Sequence, residues 1–176
     1  MRVILYMAMT VNGFVADSHD EVDFVSKASW EMYHALVGKV GALIVGRRTY
    51  ELMVEAGEVG EDGGTHRDVQ IVVVTRKKDF LPHGPAMVAD SPARALELLS
   101  AKGFEEAILG GGGSLNGSFM REALVDEIIL DVEPAVIGEG IKLFGESDGG
   151  IEAKVKLMES KEFAPGEMRL HYEVEK

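Results

Sequence analysis

The stretch "ILGGGGSLNGSFMREALVDE", residues 108–127, decides how the rest of the chain reads. Ile108 and Leu109 close an apolar, strand-like run, and a helix is expected from the glycines to about Leu124, with Gly110 to Gly113 filling the turn. Glycine is the costliest residue to order, so four in succession need a reason. A Gly-rich strand-to-helix turn lets backbone N–H groups approach a phosphate, and the helix start adds a favourable field. Packing a helix closely on a sheet would use the same glycines. Two known phosphate templates do not fit. Gly112 and Gly117 have the Walker A spacing, but Ser118 stands where its lysine belongs. From Gly110 or Gly111, the last glycine of a dinucleotide fingerprint falls on Leu115 or Asn116.

Working outward, apolar runs and helical patterns alternate. Strands are expected at residues 3–9, 41–46, 69–75, 86–89 and 106–109. Helices are expected over 27–40, with Ser26 or Ser29 as N-cap, over 47–56, and from Ser91-Pro92 to Gly103. Residues 10–23 and 57–68 read as loops. Such alternation is the pattern of crossover units on a largely parallel sheet. Beyond residue 126 the period changes: 154–163 and 167–175 alternate apolar and polar around "APGE", an antiparallel hairpin. The expectation is one α/β domain spanning residues 1–176, with helices on both faces of a mostly parallel sheet and an antiparallel C-terminal hairpin.

Bulk properties narrow the function. A chain of 176 residues with 46% hydrophobic and 27% charged residues is long enough for a core without staples. The absence of cysteine removes disulfides, thiolate nucleophiles and Cys-based metal sites, and points to a reducing cytoplasm. No apolar run approaches the about 18 residues of a membrane span, and "VILYMAM" is too short for a signal peptide. Acidic residues outnumber basic ones 30 to 18, and the net charge of −12 opposes nucleic acid. Even so, five basic residues occupy two short stretches, Arg47-Arg48 and Arg76-Lys77-Lys78.

Both stretches follow strands. Arg47, Arg48 and Thr49 open a helix after Gly46, where cations are locally unfavourable unless an anion is held. Thr75 and Arg76 stand at the carboxyl end of an apolar strand, the edge at which open α/β sheets bind ligands. A hydroxyl beside a guanidinium suits a phosphate monoester such as the 2'-phosphate of NADP. His19, His34, His66, His83 and His171 lack metal-ligand spacing, and no nucleophile elbow is present, so neither a metal nor covalent hydrolysis is expected.

Taken in order, "YMAMTVNGFVA" (6–16), "GRRTY" (46–50), "VTR" (74–76), the glycine stretch and "EPAVIGEGIKLF" (133–144) resemble the dihydrofolate reductase superfamily. The closer likeness is to its riboflavin-pathway branch, the reductase domain of the bifunctional deaminase-reductase and its stand-alone relatives. The resemblance implies a dihydrofolate reductase-like three-layer fold and an NADPH-dependent reductase. By the same matching, Gly111, Gly112, Gly113, Ser114 and Leu115 would meet the pyrophosphate, Arg47, Arg48 and Thr49 the phosphates, and Thr75 and Arg76 the 2'-phosphate. Ala8 would bond the nicotinamide carboxamide, Val15, Gly46 and Leu109 would complete the cofactor contacts, and residues Asn12 to Ala16 would form a mobile loop over the ring. The glycines would then keep side chains out of cofactor volume.

Asn12, Trp30 and His34 are the implied substrate contacts, and Glu31 and Asp131 the candidate proton donors. The implied substrate is 5-amino-6-(5-phosphoribosylamino)uracil or its 2,5-diamino counterpart. Dihydrofolate or another pterin, and an NADP-binding protein without catalysis, are the alternatives. Branch members read Thr-x-Asp-Gly-Lys in the first loop, whereas this chain has Thr10-Val11-Asn12-Gly13-Phe14 and so lacks a carboxylate and a cation there. The zinc deaminase half needs cysteines, so reductase activity alone is expected. Relatives also imply a homodimer.

Overall fold

The computed structural model describes residues 1–60, 64–145 and 150–176. Its centre is β1 (Arg2–Thr10), whose residues alternate between two cores: Val3 and Leu5 enter one, Ile4 and Tyr6 the other. A strand covered on both faces must be apolar at nearly every position, which accounts for "VILYMAM".

β1 lies parallel to β6 (Glu106–Leu109) on one side and β7 (Glu127–Glu133) on the other. Next to β6 come β3 (Ala42–Gly46), β4 (Gln70–Val74) and β5 (Met87–Ala89), all parallel. Beyond β7 the sheet turns antiparallel with β10 (Glu167–Val174) and β9 (Val155–Ala164). The eight-strand order is β5-β4-β3-β6-β1-β7-β10-β9. Helices α1 (Lys27–Val40) and α2 (Arg47–Glu55) pack on one face through Val37, Tyr50 and Met53. Helices α3 (Pro92–Ala101) and α4 (Gly113–Arg121) pack on the other through Ala95, Leu99, Leu115 and Phe119. This is the three-layer α/β arrangement expected. Among the described residues no helix is long and apolar enough to cross a membrane.

Two expectations are corrected. Residues 10–23 are not all loop: β2 (Phe14–Asp17) pairs antiparallel with β8 (Gly140–Lys142) in a separate small sheet. Both strands are too short to show a period. Helix α4 ends at Arg121, not near Leu124, because Ala123 takes a left-handed φ of 53° and turns the chain into β7. Of the expected 57–68 loop, residues 61–63 lie outside the described residues, and Gly64–His66 forms a 3-10 turn.

Candidate functional site

The carboxyl ends of β1, β6, β3 and β4 open on one cavity of about 960 Å3. Ala8, two residues before the end of β1, Gly46 at the end of β3, and Gly110 and Thr75 just past β6 and β4 all line it, so they succeed one another along the sheet edge in strand order. From β1 to β4 is three strand spacings, about 14 Å.

The middle of the cavity is set by two helix starts. Helices α1 and α3 are capped by the side chains of Ser26 and Ser91. By contrast, α2 begins at Gly46 and α4 at Gly112, neither with a side-chain cap, and both glycines line the cavity. Uncapped N–H groups at adjacent strand ends form an anion cradle. The cradle carries hydroxyls from Thr49 and Ser114.

The glycines have separate physical reasons. Gly111 has φ +87°, and a Cβ there would lie 3.0 Å from Met7 Sδ. A Cβ on Gly113 would lie 2.2 Å from the Lys142 carbonyl oxygen, so this glycine lets α4 close on the segment after β8. Only Gly112 fits the expectation of a bare backbone facing open volume, its nearest neighbour being Thr49 Oγ1 at 3.4 Å. The peptide bond joining Gly111 to Gly112 is cis.

At one end of the cavity stand the arginines. Arg47 is paired with Glu51 at 2.6 Å, and Arg48 donates from Nε to Asp20 at 2.9 Å, tying α2 to the loop after β2. Arg76 is exposed beside Thr75, and Asp90 and Ser91 line the same cavity. The other end is aromatic: Trp30 and Tyr33 of α1 face Val22, Val25 and Met53. Tyr33 packs on Tyr6 with ring centroids 5.5 Å apart.

Of the expected site residues, Ala8, Val15, Trp30, Gly46, Arg47, Arg48, Thr49, Thr75, Arg76, Gly112, Gly113, Ser114 and Leu115 line this cavity. Six do not. Glu31 follows Trp30 by one residue, about 100° around the helix, so when Trp30 faces the cavity Glu31 faces solvent and pairs with Lys27 at 3.3 Å. Asp131 is fully buried behind the wall, held by Arg169 and the Tyr6 hydroxyl. Burial and the adjacent Asp131 charge push the Tyr6 phenol far up, and burial raises that of Tyr33, so both stay protonated. The Asn12 amide donates to the Ile137 carbonyl at 2.7 Å and its oxygen accepts from Thr10, holding a turn against the β8 side. In the segment expected to lie over the ring, residues 12–13 thus form an anchored turn and residues 14–17 a paired strand. His34 lies one turn beyond Trp30 and stacks on it at 5.7 Å. Its Nδ1 is buried without a hydrogen-bond partner, and desolvation lowers its pKa. Leu109 is core, and Gly111, in the turn itself, faces Met7.

Sequence reasoning missed Glu58 and His66. Glu58 lines the aromatic end, and the buried His66 Nε2 stands 3.6 Å from its carboxylate. The surrounding "GEVGEDGGTHRD" reads as plain loop, and no local pattern marks either residue.

Residues 1–168 match the RibD C-terminal domain model. The chain belongs to the RibD C-terminal domain family. It is 30% identical to the uncharacterized protein YwjB of Bacillus subtilis (strain 168), over 97% of each chain. The same fold occurs in a protein from Shewanella sp. PV-4 assigned to riboflavin biosynthesis, at 22% identity and TM-score 0.81 over all of both chains. It occurs again in the Thermotoga maritima diaminohydroxyphosphoribosylaminopyrimidine deaminase/5-amino-6-(5-phosphoribosylamino)uracil reductase, at 16% identity and TM-score 0.72. There the match covers 98% of this chain and 56% of the other.

Proposed function

We propose that the protein is an NADPH-dependent reductase of the riboflavin-biosynthesis type, acting on a pyrimidine or pterin ring compound. The observation that carries this reading is the meeting of two uncapped helix starts, at Gly46 and Gly112, inside one cavity with arginines at one end and aromatic rings at the other. Membership of a family of riboflavin-type reductase domains supports the same activity.

The residues fit the cofactor. The N–H groups opening α2 and α4 would hold the diphosphate, and Thr75 with Arg76 the 2'-phosphate. Ala8, on β1, would offer its backbone to the carboxamide. The bound nicotinamide supplies a hydride to a C=N or C=O carbon, while a proton from solvent reaches the nitrogen or oxygen. The chain contributes alignment and exclusion of water: Val15 and Ala16 of β2 close one wall, and Trp30 and Tyr33 confine the ring.

Steady-state oxidation of NADPH with 5-amino-6-(5-phosphoribosylamino)uracil and with a dihydropterin tests this. Turnover of either supports the reading. Tight NADPH binding without oxidation by any such ring would favour a nucleotide-binding protein without catalysis.

Two further proposals concern context. The lack of cysteine suits a reducing cytoplasm, and the acidic net charge a small-molecule partner instead of nucleic acid. The edge strand β9 leaves Val155, Leu157 and Met158 43%, 51% and 54% exposed, a surface suited to a second copy of the chain in a homodimer.

A further inference from the structure

Resting on the reductase reading, we infer that the aromatic end of the cavity takes a planar heterocycle without a phosphate, which presents N–H groups to Glu58. Glu58 stands a helix length away from the arginines that open α2. Arg47 and Arg48 open α2, and Arg76 lies at the exit of β4. Glu58 follows the other end of α2, which is nine residues, about 13 Å, long. Among the described residues, the cavity is lined by no lysine, and its arginines are Arg47 and Arg48 at the start of α2, Arg76 after β4 and Arg121 at the end of α4.

Two hydroxyls there are already used. The Tyr6 hydroxyl donates to Asp131, and the Ser29 hydroxyl donates to the buried carboxylate of Glu133. Glu58 is different. Its side chain is 21% exposed, and its nearest basic atom is His66 Nε2 at 3.6 Å, beyond hydrogen-bond reach. His66 is itself 2% exposed, and that nitrogen has no hydrogen-bond partner. Unmet acceptor and ring-nitrogen capacity therefore face each other at the wall of an apolar slot.

The slot dictates the shape of its occupant. Trp30 is stacked on His34 with 20° between the rings, and Tyr33 stands edge-on to Trp30 at 79°. A flat ring packs against such surfaces, and its N–H groups make charge-assisted hydrogen bonds to the carboxylate. A phosphomonoester has the opposite needs. It requires cations or a free helix start, and both uncapped helix starts stand in the middle of the cavity, at Gly46 and Gly112, away from Glu58 beyond the far end of α2. Beside Glu58 a dianion meets a like charge in a poorly solvated setting.

The test measures binding first, so that it does not depend on turnover. Calorimetric titrations of the full chain, with and without saturating NADP, compare three probes. These are 5-amino-6-(5-phosphoribosylamino)uracil, its dephosphorylated ribosyl form, and 6-methyl-7,8-dihydropterin. The dephosphorylated form is expected to bind at least about tenfold tighter than the phosphorylated one. Glu58→Gln should weaken both unphosphorylated probes by about tenfold or more while leaving the Kd for NADPH within about twofold. Tighter binding of the phosphorylated probe, no binding of any probe, or identical probe affinities in Glu58→Gln would overturn the inference. Failure of NADPH to bind removes the reductase reading instead, and the titrations without NADP still decide the preference at Glu58.

Discussion

Arg169 of β10 and Asp131 of β7 sit directly opposite each other in the sheet, and the guanidinium grips the carboxylate through Nε and Nη2 at 2.7 Å each. Asp131 is wholly buried and the Arg169 side chain is 16% exposed, so each charge depends on the other. Asp131→Ala leaves a largely buried guanidinium unpaired and should destabilise the fold by about 3–5 kcal/mol in denaturant unfolding. NADPH affinity per folded molecule should stay within about twofold, since Asp131 does not line the cavity. A stable variant with selectively lost turnover would return Asp131 to the catalytic role first expected of it.

Neighbouring glycines should respond differently to the same methyl group. Gly113→Ala drives a Cβ to 2.2 Å from the Lys142 carbonyl, where backbone must move, and should cost about 2 kcal/mol or more. Gly112→Ala meets only Thr49 Oγ1 at 3.4 Å, so stability should change by less than about 1 kcal/mol while NADPH binding weakens about tenfold or more. Thermal unfolding and NADPH titration of both variants separate the packing glycine from the binding one.

Acid should loosen the aromatic end. Burial lowers the His34 pKa from its usual 6.5, with Glu58 acting in the opposite direction and His66 in the same one. The unfolded chain then binds more protons than the folded one below pH 6.5. The stability that neutral His34 contributes is thus complete above that pH and is lost as pH falls toward the folded value. His34→Phe keeps a ring against Trp30 without a titrating group, and its unfolding free energy should fall less steeply between about pH 7 and pH 5 than that of the parent. Parallel slopes would remove His34 from this effect.

At the opposite edge of the sheet, Leu157→Glu places a charge on the exposed face of β9. Light scattering should show a homodimer for the parent chain and a monomer for the variant, with NADPH affinity retained. A monomeric parent chain would end the dimer proposal.

Much of this was legible in sequence because it followed from strong local patterns. The continuous apolar run of β1 needs cover on both faces, and Ser91-Pro92 starts α3 where a capped helix with an early proline should start. The alternation around Pro165-Gly166 gave the hairpin. What stayed hidden depends on contacts distant in sequence. β2 and β8 exist because residues 14–17 meet residues 140–142. The helical register that chooses Trp30 over Glu31 for the cavity is fixed by packing on the sheet. That Gly113 must also be bare for packing was hidden, because the backbone that closes on it follows β8. Glu58 and His66 lie on either side of a loop, and only the fold brings them to one wall.

The central claim is that the starts of α2 and α4, with Arg76, hold a phosphorylated dinucleotide. Calorimetric titration of NADPH and NADH into the parent chain and into Arg76→Ala tests it most directly. The account predicts saturable NADPH binding in the parent, at least about tenfold tighter than NADH, with that preference abolished in Arg76→Ala. Absence of saturable binding at about millimolar NADPH, or a preference that survives the substitution, would contradict it.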